Sequence, residues 1–164
     1  MGLINNPVLA NSGTSNIAEL THTHVGTGTS AFVAGELIYL NSGVITTMSA
    51  ADAGALTAAV IYGQALTDDG AAATEVVVRP IKPNQLWRIK LSASGTANTA
   101  ASYTLNTKYG LYHSGSTWYA DSAVTNQDMI IYVGPSGEPG KTLSASTWGL
   151  FTFLASICQT DIGT

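Results

Sequence analysis

The sequence predicts an all-β protein: a β-sandwich or β-barrel-like domain of short antiparallel strands, preceded by an extended N-terminal arm. Runs rich in β-branched and aromatic residues recur from Phe32 to Ile157, separated by Gly, Asn, Ser, Asp and Pro. Such runs suit a pleated, half-buried surface. One of them, residues 85–91, alternates strictly, with Leu86, Arg88 and Lys90 on one side and Trp87, Ile89 and Leu91 on the other. That alternation marks a strand with one wet face. The first thirty residues show neither helical nor strand periodicity for long, and no charge appears in them before Glu19.

The arm, residues 1–30, is rich in Asn, Gly, Ser and Thr and carries scattered apolar anchors. True disorder usually brings charge and few aliphatic residues, so this composition reads as a segment that orders against a partner. Leu3, Ile4, Pro7, Val8, Leu9, Ile17 and Phe32 are the expected contacts with that partner or a neighbouring protomer.

The domain, residues 31–164, opens with a hairpin: strand 36–41, a Ser42-Gly43 turn and return strand 44–47. Ser49 to Asp52 has the spacing of a capping box and predicts one short helical turn, stopped by Gly54. Residues 58–66 predict a buried strand, 67–70 a turn and 75–79 another strand. Pro80 and Pro83 end that strand because neither can donate to a ladder. Strand 85–91 follows, then a flexible small-residue loop over 92–102. Strands are expected at 103–105, 108–113, 117–120 and 128–133, then a Gly/Pro turn at 134–140 and a last apolar run at 148–157. Tyr39 to Gly43 echoes Leu111 to Gly115, and Val60 to Gly63 echoes Ile130 to Gly134, which suggests two related β units, 31–91 and 103–160.

Composition narrows the function. The 164 residues are 45% hydrophobic, enough for a core, but only 10% charged. An average soluble domain is roughly 25% charged. A surface of small neutral groups is cheap to desolvate and suits a large contact with other subunits. Net charge is −4 and the six cations are scattered, with a local group only at Arg79, Lys82, Arg88 and Lys90. Nucleic-acid binding by counterion release needs clustered cations, so no direct nucleic-acid partner is expected. Cys158 stands alone, so no intrachain disulfide can form, and it reads as a buried, inert thiol. No basic-apolar leader opens the sequence and no apolar run is long enough to span a bilayer, so neither secretion nor membrane insertion is expected.

Candidate chemistry is sparse. His22 and His24 would face one side of an extended strand, a spacing that can chelate metal, but no carboxylate or thiolate is adjacent to complete a site. Asp68 and Asp69 lack the calcium-loop pattern around them. The stretch from Gly134 to Thr142 resembles a phosphate loop with the wrong spacing: five residues separate Gly134 from Gly140, and Pro135 and Pro139 remove backbone donors. No Ser-His or Cys-His pair with a carboxylate stands at a known spacing, so no catalytic residue, metal or cofactor is expected. Tyr109, Tyr112, Trp118 and Tyr119 read either as hairpin core or as the lining of a sugar groove.

The patterns Phe32-x-Ala34-Gly35-Glu36, Gly63-Gln64-Ala65-Leu66-Thr67-Asp68 and Val76-Val77-Val78-Arg79-Pro80-Ile81 resemble the capsid decoration (cement) proteins of tailed bacteriophages. The likeness covers the first half of the chain. It implies a non-enzymatic virion protein on the capsid exterior, assembled in the host cytoplasm. The expected partner is the major capsid protein, bound by a homotrimer that reinforces the shell through many modest contacts. The rival readings are a phage fibre base or a glycan- or receptor-binding β module.

Overall fold

The computed structural model describes residues 8–11, 22–24, 33–41, 44–48, 61–67, 76–83, 85–114, 117–124 and 127–158. The protein is all-β, with two sheets and no helix beyond short 3-10 turns among the described residues. Its strands are β1 (Val8–Asn11), β2 (His22–His24), β3 (Leu37–Asn41), β4 (Val44–Thr47), β5 (Gly63–Ala65) and β6 (Val76–Pro80). They continue with β7 (Leu86–Ala93), β8 (Thr96–Ala97), β9 (Lys108–Ser114), β10 (Thr117–Asp121), β11 (Ile130–Pro135) and β12 (Trp148–Phe153).

The larger sheet closes on itself. Its order runs β7-β10-β9-β11-β12, and β12 pairs back onto β7. Closure removes the free edges that make open sheets prone to self-association. It also explains a departure from the expected antiparallel pattern. A ring with an odd number of strands cannot alternate direction all the way round, and here β7 and β10 run parallel. β1 adds to the edge of β7 at Leu86 to Arg88, and β10 takes the same edge from Lys90 onward.

The second sheet has the order β2-β6-β5-β3-β4. The hairpin expected at 36–47 is β3 and β4, with Asn41 opposite Val44 across a two-residue connection. Of the strand expected at 58–66, β5 and a bridge from Ile61 to Cys158 are seen, while residues 58–60 lie outside the described residues. So do the expected helical turn at 49–52 and Asp68 and Asp69. β6 ends on Pro80, opposite Gly63. Gly63 is tightly placed, because a Cβ there would come 2.5 Å from the Arg79 carbonyl oxygen.

The main core lies inside the barrel and continues to the second sheet. Trp87, Ile89, Leu91, Leu111, Trp118, Ile130, Tyr132, Phe151 and Phe153 fill it, joined by Leu37, Met48, Ile61 and Ile81. Fully burying a side chain of Phe or Leu size stabilises by about 1.5–3 kcal/mol. The other face of β3 carries a smaller cluster of Ile38, Ile45, Ala65 and Val78.

Two expectations are corrected. Residues 92–102 are not a flexible loop: β7 continues to Ala93, turns through Ser94 and Gly95 into β8, and a 3-10 turn follows at Ala100–Ser102. The Asp121 carboxylate holds this segment by accepting hydrogen bonds from the Ser94 and Gly95 amides, both at 3.0 Å, and from the Ser92 hydroxyl at 2.7 Å. Residues 103–105 form no strand. The Tyr103 ring is buried instead, and its hydroxyl donates to the carbonyls of Ser92 and Ala120.

Candidate partner-binding face

The outer wall of the barrel is set by strand alternation. On β7, Trp87, Ile89 and Leu91 are buried while Leu86, Arg88 and Lys90 are half-buried, as the sequence expected. Register then aligns a row across four strands. Tyr112 on β9 is opposite Tyr119 on β10, Tyr119 is opposite Lys90 on β7, and Lys90 is opposite Trp148 on β12. Residues directly opposite share a face, so these side chains form one stripe. The Arg88 guanidinium stacks over the Trp148 indole at 4.5 Å from the ring centre, and the Lys90 ammonium lies 5.6 Å from it. Such contacts stabilise by about 0.5–1 kcal/mol when exposed, and more when desolvated. Arg88 Nε is buried and has no hydrogen-bond partner among the described residues.

Asp121 lies on the same outer face, two residues along β10 from Tyr119, but it is fully buried. Burial alone would raise its pKa. Hydrogen bonds from the Gly95 amide, the Ser92 hydroxyl and the Ala123 and Ser94 amides outweigh it, and the net shift is downward. The turn it caps needs left-handed backbone at both corners, with φ 49° at Ser94 and 75° at Gly95. Gly supplies that conformation without strain, and the Tyr112 ring packs directly against Gly95.

Large apolar side chains outside the stripe are also exposed. Leu105 is 59% exposed, Leu143 61% and Val133 44%. Residues 100–107 lie between the 3-10 turn Leu143–Ala145 and β11. Ala100 donates to the Ser146 carbonyl, Asn106 to the Tyr132 carbonyl, and Tyr132 to the Thr107 carbonyl. The cations nearest to them in sequence are paired, Lys108 with Asp128 at 3.5 Å and Lys141 with Glu138 at 2.7 Å. Glu138 also accepts from the amide and hydroxyl of Thr147, and these partners, Lys141 first, hold its pKa down to about 2. The segment once comparable to a phosphate loop is therefore a closed loop whose one carboxylate points to its own base.

Of the expected arm contacts, Leu3, Ile4, Pro7, Ile17 and Phe32 lie outside the described residues. Val8 and Leu9 belong to β1, opposite Arg88 and Trp87 of the same chain. His22 and His24 lie on β2, an edge strand paired to Val78 and Val76. Among the described residues no group of three or more His, Cys, Asp or Glu gathers to hold a metal ion, and no described helix is long and apolar enough to cross a membrane. Cys158 is buried.

The aromatic set divides. Tyr109 and Trp118 enter the core, whereas Tyr112 and Tyr119 stay outside. Sequence reasoning missed Trp148 as their neighbour, because only the closure of β12 onto β7 brings it there. His113 faces inward, stacked on Trp118 with ring centres 4.6 Å apart, and burial lowers its pKa. Compared with family models, with curated proteins and with solved structures, the chain shows no match.

Proposed function

We propose that this chain is a structural virion protein that binds the outer surface of a phage major capsid shell and stabilises it. The observation that carries the reading is the exposure of three large apolar side chains, Leu105 and Leu143 in connecting segments and Val133 on β11, while the charges nearest to them in sequence are paired within the chain. Exposed leucines whose neighbouring charges are already paired cost little to desolvate and gain on contact with another protein. The resemblance of residues 32–81 to capsid decoration proteins points the same way, as does the low content of charge. In this reading the protein acts as a homotrimer on the capsid exterior, assembled in the host cytoplasm. Modest contacts at each protomer sum through multivalency, and residues 1–30 supply a second contact. It performs no catalysis and takes no cofactor.

The test is co-sedimentation of the purified protein with expanded, undecorated heads. Saturable binding is expected, with Leu105→Asp and Leu143→Asp together abolishing it while the melting temperature of the free protein stays within a few degrees. Absence of saturable binding, or full binding by the double variant, overturns the reading.

A further inference from the structure

The stripe on the outer barrel wall differs in chemistry from the exposed Leu105, Val133 and Leu143: it is aromatic and cationic. Tyr112, Tyr119, Lys90 and Trp148 are successive neighbours across four strands, with Arg88 beside Lys90 on the same face. At about 4.8 Å between strands the row spans about 14 Å. Among the described residues its charge is one-sided. Asp121 is the acidic group that shares this face on β10, and its carboxylate is fully buried and turned onto the Ser94 and Gly95 amides. Arg88 makes neither described ion pair, and among the described residues its buried Nε has no acceptor.

We propose that this stripe is a binding site for an acidic carbohydrate, a short oligosaccharide carrying a carboxylate. Sugar rings present an apolar face of C–H groups, which meets the negative face of an aromatic ring. Tyr119 and Tyr112 are the stacking platform. Arg88 receives the carboxylate, because a guanidinium forms two parallel charge-assisted hydrogen bonds to it. Trp148 is a positioning residue: it is buried under the two cations and keeps them against the wall. A nucleic-acid strand also joins aromatic and cationic contacts, but its affinity grows with the number of phosphates neutralised. Among the described residues the stripe offers only Arg88 and Lys90. The site does not depend on shell binding and is testable on the free protein.

The experiment titrates the full chain with trigalacturonate, maltotriose and a short oligothymidylate, following the Trp148 indole N–H by NMR. Saturable binding of trigalacturonate is expected, weaker by about tenfold for maltotriose and for Arg88→Gln, since a hydrogen bond to a charged group is worth at least that factor. Tyr119→Ala weakens it similarly, whereas Tyr119→Phe, which keeps the ring, binds within about twofold of the parent. No saturable shift with trigalacturonate overturns the proposal. So does tighter binding of oligothymidylate, or equal affinity in a folded Arg88→Gln variant.

Discussion

The Asp121 carboxylate accepts the Gly95 amide at 3.0 Å, tying the end of β10 to the turn between β7 and β8 across a separation of 26 residues. A strand side chain thereby replaces the water that would otherwise solvate a tight turn, and a segment of small polar residues becomes ordered. Asp121→Ala leaves the Ser94, Gly95 and Ala123 amides without this acceptor. A loss of about 2–4 kcal/mol is expected, measured by urea unfolding.

The same carboxylate sets an acid limb of stability. Its folded pKa lies below the ordinary value of 3.8. The unfolded chain therefore binds the proton first as pH falls, and the stabilisation present above 3.8 is lost as pH drops through the folded value. In a series of acid melts, Asp121→Asn is expected to start less stable than the parent and to show a shallower decline. A parallel decline would contradict this assignment.

His113 works in the opposite charge sense. Its folded pKa is lowered from 6.5 by burial over Trp118, so the folded state holds it neutral. The unfolded chain takes up the proton near 6.5, and stability falls as pH drops from there toward the folded pKa. His113→Phe keeps the stacked ring and removes the titration. Between about pH 7.5 and pH 5 its melting temperature should fall less than the parent's.

Close packing of the second sheet is testable at glycine. Gly63→Ala forces a Cβ against the Arg79 carbonyl oxygen and the Val78 side chain. Backbone cannot give way as a flexible side chain can, so a loss of about 1–3 kcal/mol is expected. Gly137→Ala meets nothing within 4 Å and should stay within about 0.5 kcal/mol of the parent.

Local pattern made much of this fold legible. The alternation of residues 85–91 gave the correct inward and outward sets, and the hairpin at 36–47 has the expected two-residue connection. What stayed hidden depends on pairings between distant residues. Nothing near Ser92 signals that Asp121 will organise it, so its small residues read as mobile. The parallel β7–β10 pair follows from ring closure, which no local period encodes. Alternation along β9 puts Tyr109 and Tyr112 on opposite faces, but which of the two faces is inward depends on the pairing of β9 with β10 and β11. Trp148 joins Tyr119 through Lys90, two pairings removed in space and 29 residues away along the chain.

Shell stabilisation is tested most directly by the melting temperature of expanded, undecorated heads, measured calorimetrically with and without saturating protein. The account predicts a rise of several degrees that follows occupancy and is lost with the Leu105→Asp, Leu143→Asp double variant, since a ligand that binds only the intact shell must raise its stability by mass action. An unchanged melting temperature at saturating protein would contradict it.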